Sequence, residues 1–582
     1  MSTNKPKSKP FTAGRLAKPT SQLLQDYVDG PALKGELRLL PHVVQVDCAH
    51  LIMLAAQGLV TVEQAGSIIE ALEDLDKDGN EQFTAKPGYG TINLQIEEYL
   101  SQRLGQDIAG RLPIGRSRID HGATVRRVSD RSNLLSVQNA LLSMQEALLR
   151  ASEQHADTPI ISFTHMQQAQ AATFGHYLLA FHARLSDCFQ QLSQLYDRVN
   201  RCPLGAVGLS GTELPIDRSI TASLLGFPAI QDNSLTGRDA YYQIEFAFSL
   251  GVVMTILNDL CTDLHIHSAT EFGYVELDDS HCSTSSIFPQ KKNPVALEAV
   301  KLTAAESHGW VAAALAIFRN EGTADQYYRS LTFLPTACTS TANMLRLTAE
   351  IIDGLIVKRE RCEQQLAKAW VTTSRLGNAL LLRHELDFRT AHSLVGRMVK
   401  ICLSRGMTPG EVTVEVFQEA AGEMGVSGIK ISQEELITAL DYRSFLRECN
   451  SAGGVGAQEF LRLLMRAKEQ NDENMTWAAE KERLLATARV EMDKEARRLK
   501  ENVIKLDMQS RRQTSKRRRS NKSSIARRCH IVEHLKWFYK VSEIHCRKRT
   551  VSYGGEIHIL GHILILHIFH IRKDSGSILC FL

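Results

Sequence analysis

From Leu33 to Leu75 apolar residues return at helical spacing, and the run closes on ALEDLDKDGNE, where Asp78, Gly79 and Asn80 predict a turn. Residues 92–110 repeat the pattern and stop at Gly110; LPIGRSRIDHGAT then reads as a Gly-punctuated, arginine-rich loop. Long helical stretches are predicted over 124–200, 239–270, 294–314 and 336–370. In the second of these, Val253, Ile256, Leu257, Leu260 and Leu264 follow the i, i+3, i+4 rule. Alternating β-branched runs are few, so the pattern predicts an all-α chain built on a long helical bundle. The expected organisation is a disordered lead over 1–30, an N-terminal helical domain over 31–125 and a central bundle over 126–370. A C-terminal helical domain over 371–468 follows, with turns at 405–410 and 451–454, then a charged helix and a basic, disordered extension over 469–582.

Composition narrows the function classes. The 582 residues are 43% hydrophobic and 23% charged, and 65 acidic against 68 basic side chains leave a net charge of +3. That is too small a whole-chain field to hold nucleic acid or a membrane. Twelve cysteines are scattered with no CxxC pair, which suggests neither a zinc framework nor a disulfide scaffold and fits a reducing, cytoplasmic compartment. The N-terminus lacks the apolar run of a secretory signal. The most apolar tract, residues 561–571, is broken by His567 and His570, so no membrane span is expected.

Five segments carry candidate chemistry. Ser283-Thr284-Ser285-Ser286-Ile287-Phe288-Pro289-Gln290-Lys291-Lys292-Asn293-Pro294 gathers hydroxyl, ammonium and amide groups of the kind that stabilise a developing carboxylate or alkoxide; the alternative is a solvated loop capping the next helix. Phe163 to Gln170, with Thr164, His165 and Gln167, is a polar cluster predicted to open an apolar helix, where His165 handles protons or simply caps. Arg116 and Arg118 flank Ser117 ahead of Asp120, a pattern suited to a dicarboxylate and equally to a structural salt bridge. Residues 205–212 are glycine-rich but follow no strand, favouring a tight turn over a phosphate cradle. The basic run at 510–528 lacks interleaved aromatics, so a solvated tail is favoured over a nucleic-acid patch.

Taken together, these segments resemble the fumarase/aspartase superfamily. SSIFPQKKNP with Glu298 is similar to its GSSxMPxKxNxxxxE signature, in the QKKNP form of argininosuccinate lyases. GRSRID resembles that family's GRSRND, FTHMQQAQ its YTHLQRAQ, and PLGAVGLSGTELPIDR its PLGSGALAGTPxxxDR. NSLTGRDAYYQIEF, FRTAHSLVG and SAGGVG resemble later stretches, so the likeness runs over about residues 31–460 in one order. The resemblance implies an L-aspartase-like fold, with a long central bundle between smaller helical domains, assembled as a homotetramer whose active sites are shared among subunits. It implies reversible elimination of fumarate from argininosuccinate or another N-substituted aspartate, a step of amino-acid metabolism, with neither metal nor organic cofactor. Carried over by motif, Ser285 is the base and Lys291 and Asn293 stabilise the intermediate. Thr164, His165, Ser117 and Arg118 hold the fumarate portion, and Gln167 and Ser286 complete the substrate contacts. Two other outcomes fit the same motifs: a lyase that builds aminopolycarboxylates by adding amines to fumarate, and a non-catalytic structural member.

The departures from the family pattern cluster on one half of the substrate. Thr284 replaces a glycine, Phe288 a methionine, and Ile119 an asparagine that hydrogen-bonds substrate. Val43 and Asp47 align with the aspartate and serine of DIxGS. Residues 318–330, FRNEGTADQYYRS, do not match the YxxxxQxxK that holds the citrulline end, although Asp325, Gln326 and Tyr328 offer replacements under a shifted alignment. The fumarate half therefore reads as kept and the amine half as rebuilt.

Overall fold

A computed structural model describes residues 18–77, 83, 85–319 and 330–547, with side chains described up to residue 503 apart from Asp76. The expected turn at 78–80, most of the 318–330 segment, the first seventeen residues of the lead and the tail from 548 lie outside the described residues. The chain divides into two compact units, Met1–Lys500 and Glu501–Leu582.

In the first unit, α1 (Gly30–Leu37), α2 (Leu40–Ala56), α3 (Val62–Asp76) and α4 (Ile92–Leu104) bury Val46, Leu51, Ile68, Leu72, Ile96 and Leu100 in one apolar cluster. Helix α3 opens with a capping box between Thr61 and Gln64. Gly105 takes φ +87 and ends α4 earlier than the pattern predicts, because an L side chain rarely adopts that conformation.

The bundle is made by α5 (Arg118–Gln154), α6 (Phe174–Val199), α7 (Tyr242–Ser268), α8 (Val295–Ile317) and α9 (Leu334–Asp353). Leu134, Leu141 and Leu148 of α5 meet Leu178, Leu185 and Leu192 of α6 and Leu250, Leu257 and Leu264 of α7, all fully buried. Polar ties fix the directions of the helices. Arg127 near the start of α5 donates to the carbonyl of Val199 at the end of α6 (3.0 Å), and Tyr242 at the start of α7 donates to Asp130 (2.9 Å). At the other end Tyr177 of α6 donates to Asp263 of α7 (2.9 Å). Helix α7 is long and apolar enough to cross a membrane, with mean hydropathy 1.6 over its best window, but half of that window is buried in the bundle.

Between α5 and α6 the structure corrects the sequence expectation. Residues 163–170 do not open a helix: β1 (Pro159–Thr164) and β2 (Gln167–Thr173) form an antiparallel hairpin, and α6 begins only at Phe174, capped by the Thr173 hydroxyl. Strand β1 is rich in β-branched and aromatic residues (PIISFT), and the Ala171 and Ala172 end of β2 is buried, so pairing wins over the helix-like spacing of the glutamines. Another short ladder, β3 (Ser283–Thr284) with β4 (Lys292–Asn293), closes the Ser285 loop.

The C-terminal helices α10 (Thr373–His384), α11 (Phe388–Ser404), α12 (Val414–Glu423), α13 (Gln433–Leu440) and α14 (Tyr442–Glu448) pack around Leu380, Leu394, Met398, Phe417 and Leu436. They lead into α15 (Ala457–Arg547), 91 residues without a break. Disorder was the expectation for 510–528; the backbone there is helical, since no glycine or proline occurs between Gly456 and Gly554 and Arg, Lys, Gln and Glu are good helix formers. Residues 22–29 of the expected disordered lead are likewise helical, capped by Ser21.

Candidate active site

The Ser285 loop hangs between β3 and β4, whose partners are Ser283 with Asn293 and Thr284 with Lys292. Within it the backbone N–H groups of Ile287 (3.2 Å) and Phe288 (3.0 Å) both donate to the Ser285 oxygen. Two donors on one hydroxyl oxygen favour its alkoxide form, which a serine needs in order to act as a base. Lys292 is occupied by Asp279 (2.6 Å) and Glu276 (3.2 Å), which hold its ammonium protonated. Its neighbour Lys291 is exposed and makes no ion pair among the described residues, so its charge is available to a ligand. Ser286 is exposed and Asn293 half-buried.

Thr164, His165 and Gln167 sit at the tip of the β1–β2 hairpin, exposed and without a side-chain hydrogen bond among the described residues. The two turn residues, His165 and Met166, have φ +53 and +59, a conformation that type I′ turns normally reserve for Asn and Gly. Strain of this kind persists where surrounding structure holds it and is typical of ligand-facing turns. Phe163, next to the tip, lies 6.5 Å from Tyr274 between ring centroids, which puts the hairpin at the end of the bundle where α7 finishes and the Ser285 loop begins.

Ser117 and Arg118 lie at the opposite end. Ser117 caps α5, accepts from Ile119 N–H and donates to the Val207 carbonyl (3.0 Å). Buried Asp120 ties the two loops there: one carboxylate oxygen accepts from Ser117 N–H (2.7 Å) and His121 N–H (3.0 Å), the other from Gly205 N–H (2.8 Å) and Val207 N–H (2.9 Å). Gly205 has φ +88, and a Cβ there would meet Arg218 Cγ at 2.7 Å. Its glycine thus serves close packing in a turn, although a two-residue strand, Arg201–Cys202 paired with Ala229–Ile230, does precede the loop, contrary to the sequence expectation. Along α5, 37 residues at ~1.5 Å each separate this end from the hairpin by roughly 55 Å. One chain does not bring Ser117 and Arg118 together with His165 and Ser285.

Arg116 forms a buried salt bridge with Asp47, whose carboxylate also takes His121 Nε2 (2.6 Å); Asn93 contacts the other nitrogen of His121 (2.9 Å). Arg116 and His121 hold the Asp47 carboxyl far below the usual range despite burial. His50 beside them binds the Ile114 carbonyl (2.8 Å), and burial, helped by the Arg116 charge, lowers its pKa to about 3. Sequence reasoning singled out Arg116 but did not find Asp47 as its partner, because the pairing spans about seventy residues. Against this network lies a cavity of about 70 Å³ lined by Glu36, Val43, Asn93, Arg118, His121 and Arg126. Desolvation raises the Glu36 pKa, opposed by the Ile92 N–H and by Arg126 and Arg118. The backbone donors Ile287 and Phe288 were also missed; no side-chain signal announces them.

A helical bundle with these loops at its ends defines a lyase of the fumarase/aspartase superfamily. The family profile described as Lyase matches residues 27–309, and that described as Argininosuccinate lyase C-terminal matches 379–447. The argininosuccinate lyase of Methanocaldococcus jannaschii is 31% identical over 79% of this chain and 94% of its own, and that of Methanoculleus marisnigri 32% identical over 78% and 92%. The chain belongs to the argininosuccinate lyase family and is a carbon–nitrogen lyase that eliminates fumarate from an N-substituted aspartate. Among solved structures, a variant EDDS lyase with bound fumarate superposes with TM-score 0.75 at 27% identity, covering 84% of this chain and 98% of its own. A class II fumarase from Schistosoma mansoni, 14% identical over 70% of this chain and 90% of its own with TM-score 0.57, shares the fold.

Proposed function

We propose that Ser285 is the base of this lyase and that the observation carrying its role is the pair of N–H donors on its oxygen beside an unpaired Lys291. The Ser285 alkoxide takes a proton from the methylene carbon of the aspartyl unit. The electron pair moves into the adjoining carboxylate, giving a doubly charged aci-carboxylate stabilised by Lys291 and Asn293. That intermediate collapses, the carbon–nitrogen bond breaks with its electron pair going to nitrogen, and the departing nitrogen takes up a proton from solvent as fumarate forms and Ser285 is left protonated. Thr164, His165 and Gln167 on the hairpin, with Ser286, orient the substrate carboxylates, and Ser117 and Arg118 complete the grip.

Because about 55 Å of helix parts Arg118 from His165 in one chain, the working site draws on other subunits of a homotetramer. The apolar exposed face of α7 and α8, with Phe248 51%, Leu302 65% and Leu315 55% exposed, supports such an assembly. Mixing Arg118→Ala and Ser285→Ala chains should restore part of the activity through hybrid sites; an active monomer in sedimentation would end this reading. The enzyme works in the cytoplasm.

We further infer that the amine half of the substrate is not that of argininosuccinate. Val43 and Ile119 offer no side-chain hydrogen bond, and Asp47 is already satisfied by Arg116 and His121. Each buried polar group left unpaired costs about 1–3 kcal/mol, so a citrulline end is disfavoured. The likeness to an EDDS lyase favours an adduct of fumarate with another amine, made in either direction. Fumarate release should be compared across argininosuccinate and a panel of amine and amino-acid adducts. An efficiency on argininosuccinate above all others would restore the plain family substrate.

A further inference from the structure

Away from the lyase loops, the first part of α15 lies along α6. Phe460 and Leu464 pack on Leu149 and Leu179, Lys468 pairs with Glu153 (2.9 Å), and Trp477 sits edge-on to Phe189 and Tyr196. The two helices do not close completely. Between them is a cavity of about 460 Å³, within the size of small-molecule sites and lined by no residue of the Ser285 loop, the hairpin tip or the Ser117 loop.

Its charges are few and oppositely placed. Asp187 stands on the α6 wall and Arg466 on the α15 wall, and neither makes an ion pair among the described residues. The polar floor carries no charge: His182 is 1% exposed, its Nε2 has no hydrogen-bond partner, and burial lowers its pKa to about 4. Ser186 beside it accepts a long contact, 3.5 Å, from Asn474 and no other side-chain hydrogen bond among the described residues. Leu179 and Leu463 supply apolar surface.

A simple anion would be drawn to Arg466 and opposed by Asp187; a simple cation would meet the reverse. A small ligand bearing both charges satisfies both walls, with room left for a side chain over the floor. We propose that this cavity binds a neutral free α-amino acid, its carboxylate on Arg466 and its ammonium on Asp187. The ligand bridges α6 and α15 and so clamps the C-terminal helix onto the bundle.

The test uses the intact chain, with calorimetric titration and thermal unfolding against a panel of neutral L-α-amino acids and their N-acetyl and amide derivatives. At least one amino acid should bind and raise Tm, while its two derivatives, each lacking one charge, should not. Asp187→Asn and Arg466→Gln should each weaken binding about tenfold or more. Lys291→Gln, in the lyase site, should bind as the parent does. No binding by any member at millimolar concentration overturns the proposal. So does binding that both wall variants leave unchanged, or binding lost in Lys291→Gln, which would put the ligand in the lyase site. Since the readout is binding, an inactive lyase with an intact amino-acid site would separate this proposal from the functional one.

Discussion

The two ends of the bundle treat polar groups in opposite ways. At the end holding the hairpin and the Ser285 loop, Thr164, His165, Gln167, Ser286 and Lys291 are exposed and lack partners among the described residues. At the end holding α2 and the start of α5, Asp47, Arg116, His121 and Asp120 are buried and satisfied by one another or by backbone. The first end has binding capacity not yet used by the protein; at the second, the Asp47 and Asp120 networks have spent theirs on folding. Substitutions at the first should therefore change chemistry with little change in stability, and those in the buried networks of the second should do the reverse.

The sharpest break of that contrast is Ser285→Ala. Turnover should fall by about 10³ or more, equivalent to ~4 kcal/mol in the barrier, with Tm unchanged, because the hydroxyl acts mainly in the transition state. Steady-state fumarate release beside thermal unfolding reads both quantities, and near-parental turnover would remove Ser285 from the mechanism. Next in size is Asp47→Ala, which strips the partner from buried Arg116 and His121 and should cost about 3–5 kcal/mol of stability in denaturant unfolding. Little loss would mean that the network is not structural.

A third, smaller effect concerns acid. His50 has a folded pKa near 3 against an ordinary 6.5, so from pH 6.5 downward the unfolded chain binds a proton that the folded chain refuses. Stability is complete above that range and falls as pH drops through it, by about 2 kcal/mol at pH 5. Asp47, with its folded pKa depressed, adds stability that persists above the unfolded carboxylate range and is lost only at still lower pH. His50→Gln should flatten the fall between pH 7 and 5; an unchanged slope would assign it to other groups. The smallest effect is Met166→Gly, which should relieve the φ +59 strain and raise stability by about 0.5–1 kcal/mol. A lower Tm would show that the turn is held by contacts of the Met166 side chain.

Legibility in the sequence followed the same division. The bundle was readable because its period is written in apolar residues: Val253, Leu257, Leu260 and Leu264, picked out by spacing, are all fully buried. The hairpin was not, because its turn uses His165 and Met166 in place of Asn-Gly, and glutamines on its outer strand imitate a helix. Ser285 could be picked out as a serine among lysines, yet the donors that suit it for its role are main-chain groups common to all sequences. Asp47 was visible only as a mismatch, since nothing local reveals a partner so far along the chain.

The length of α5 also fixes an angle. An α-helix advances ~1.5 Å and turns ~100° per residue, so a rigid helix sets the azimuth of Ser117 and Arg118 relative to the hairpin as well as their separation. One residue inserted mid-helix would leave the spacing nearly intact but swing one end by more than a quarter turn, aiming those side chains at a different neighbour. Seven inserted residues would restore the heading to within ~20° while lengthening the helix by about two turns. The helix acts as a key as well as a ruler, and its 37 residues admit far less drift in length than the loops it joins.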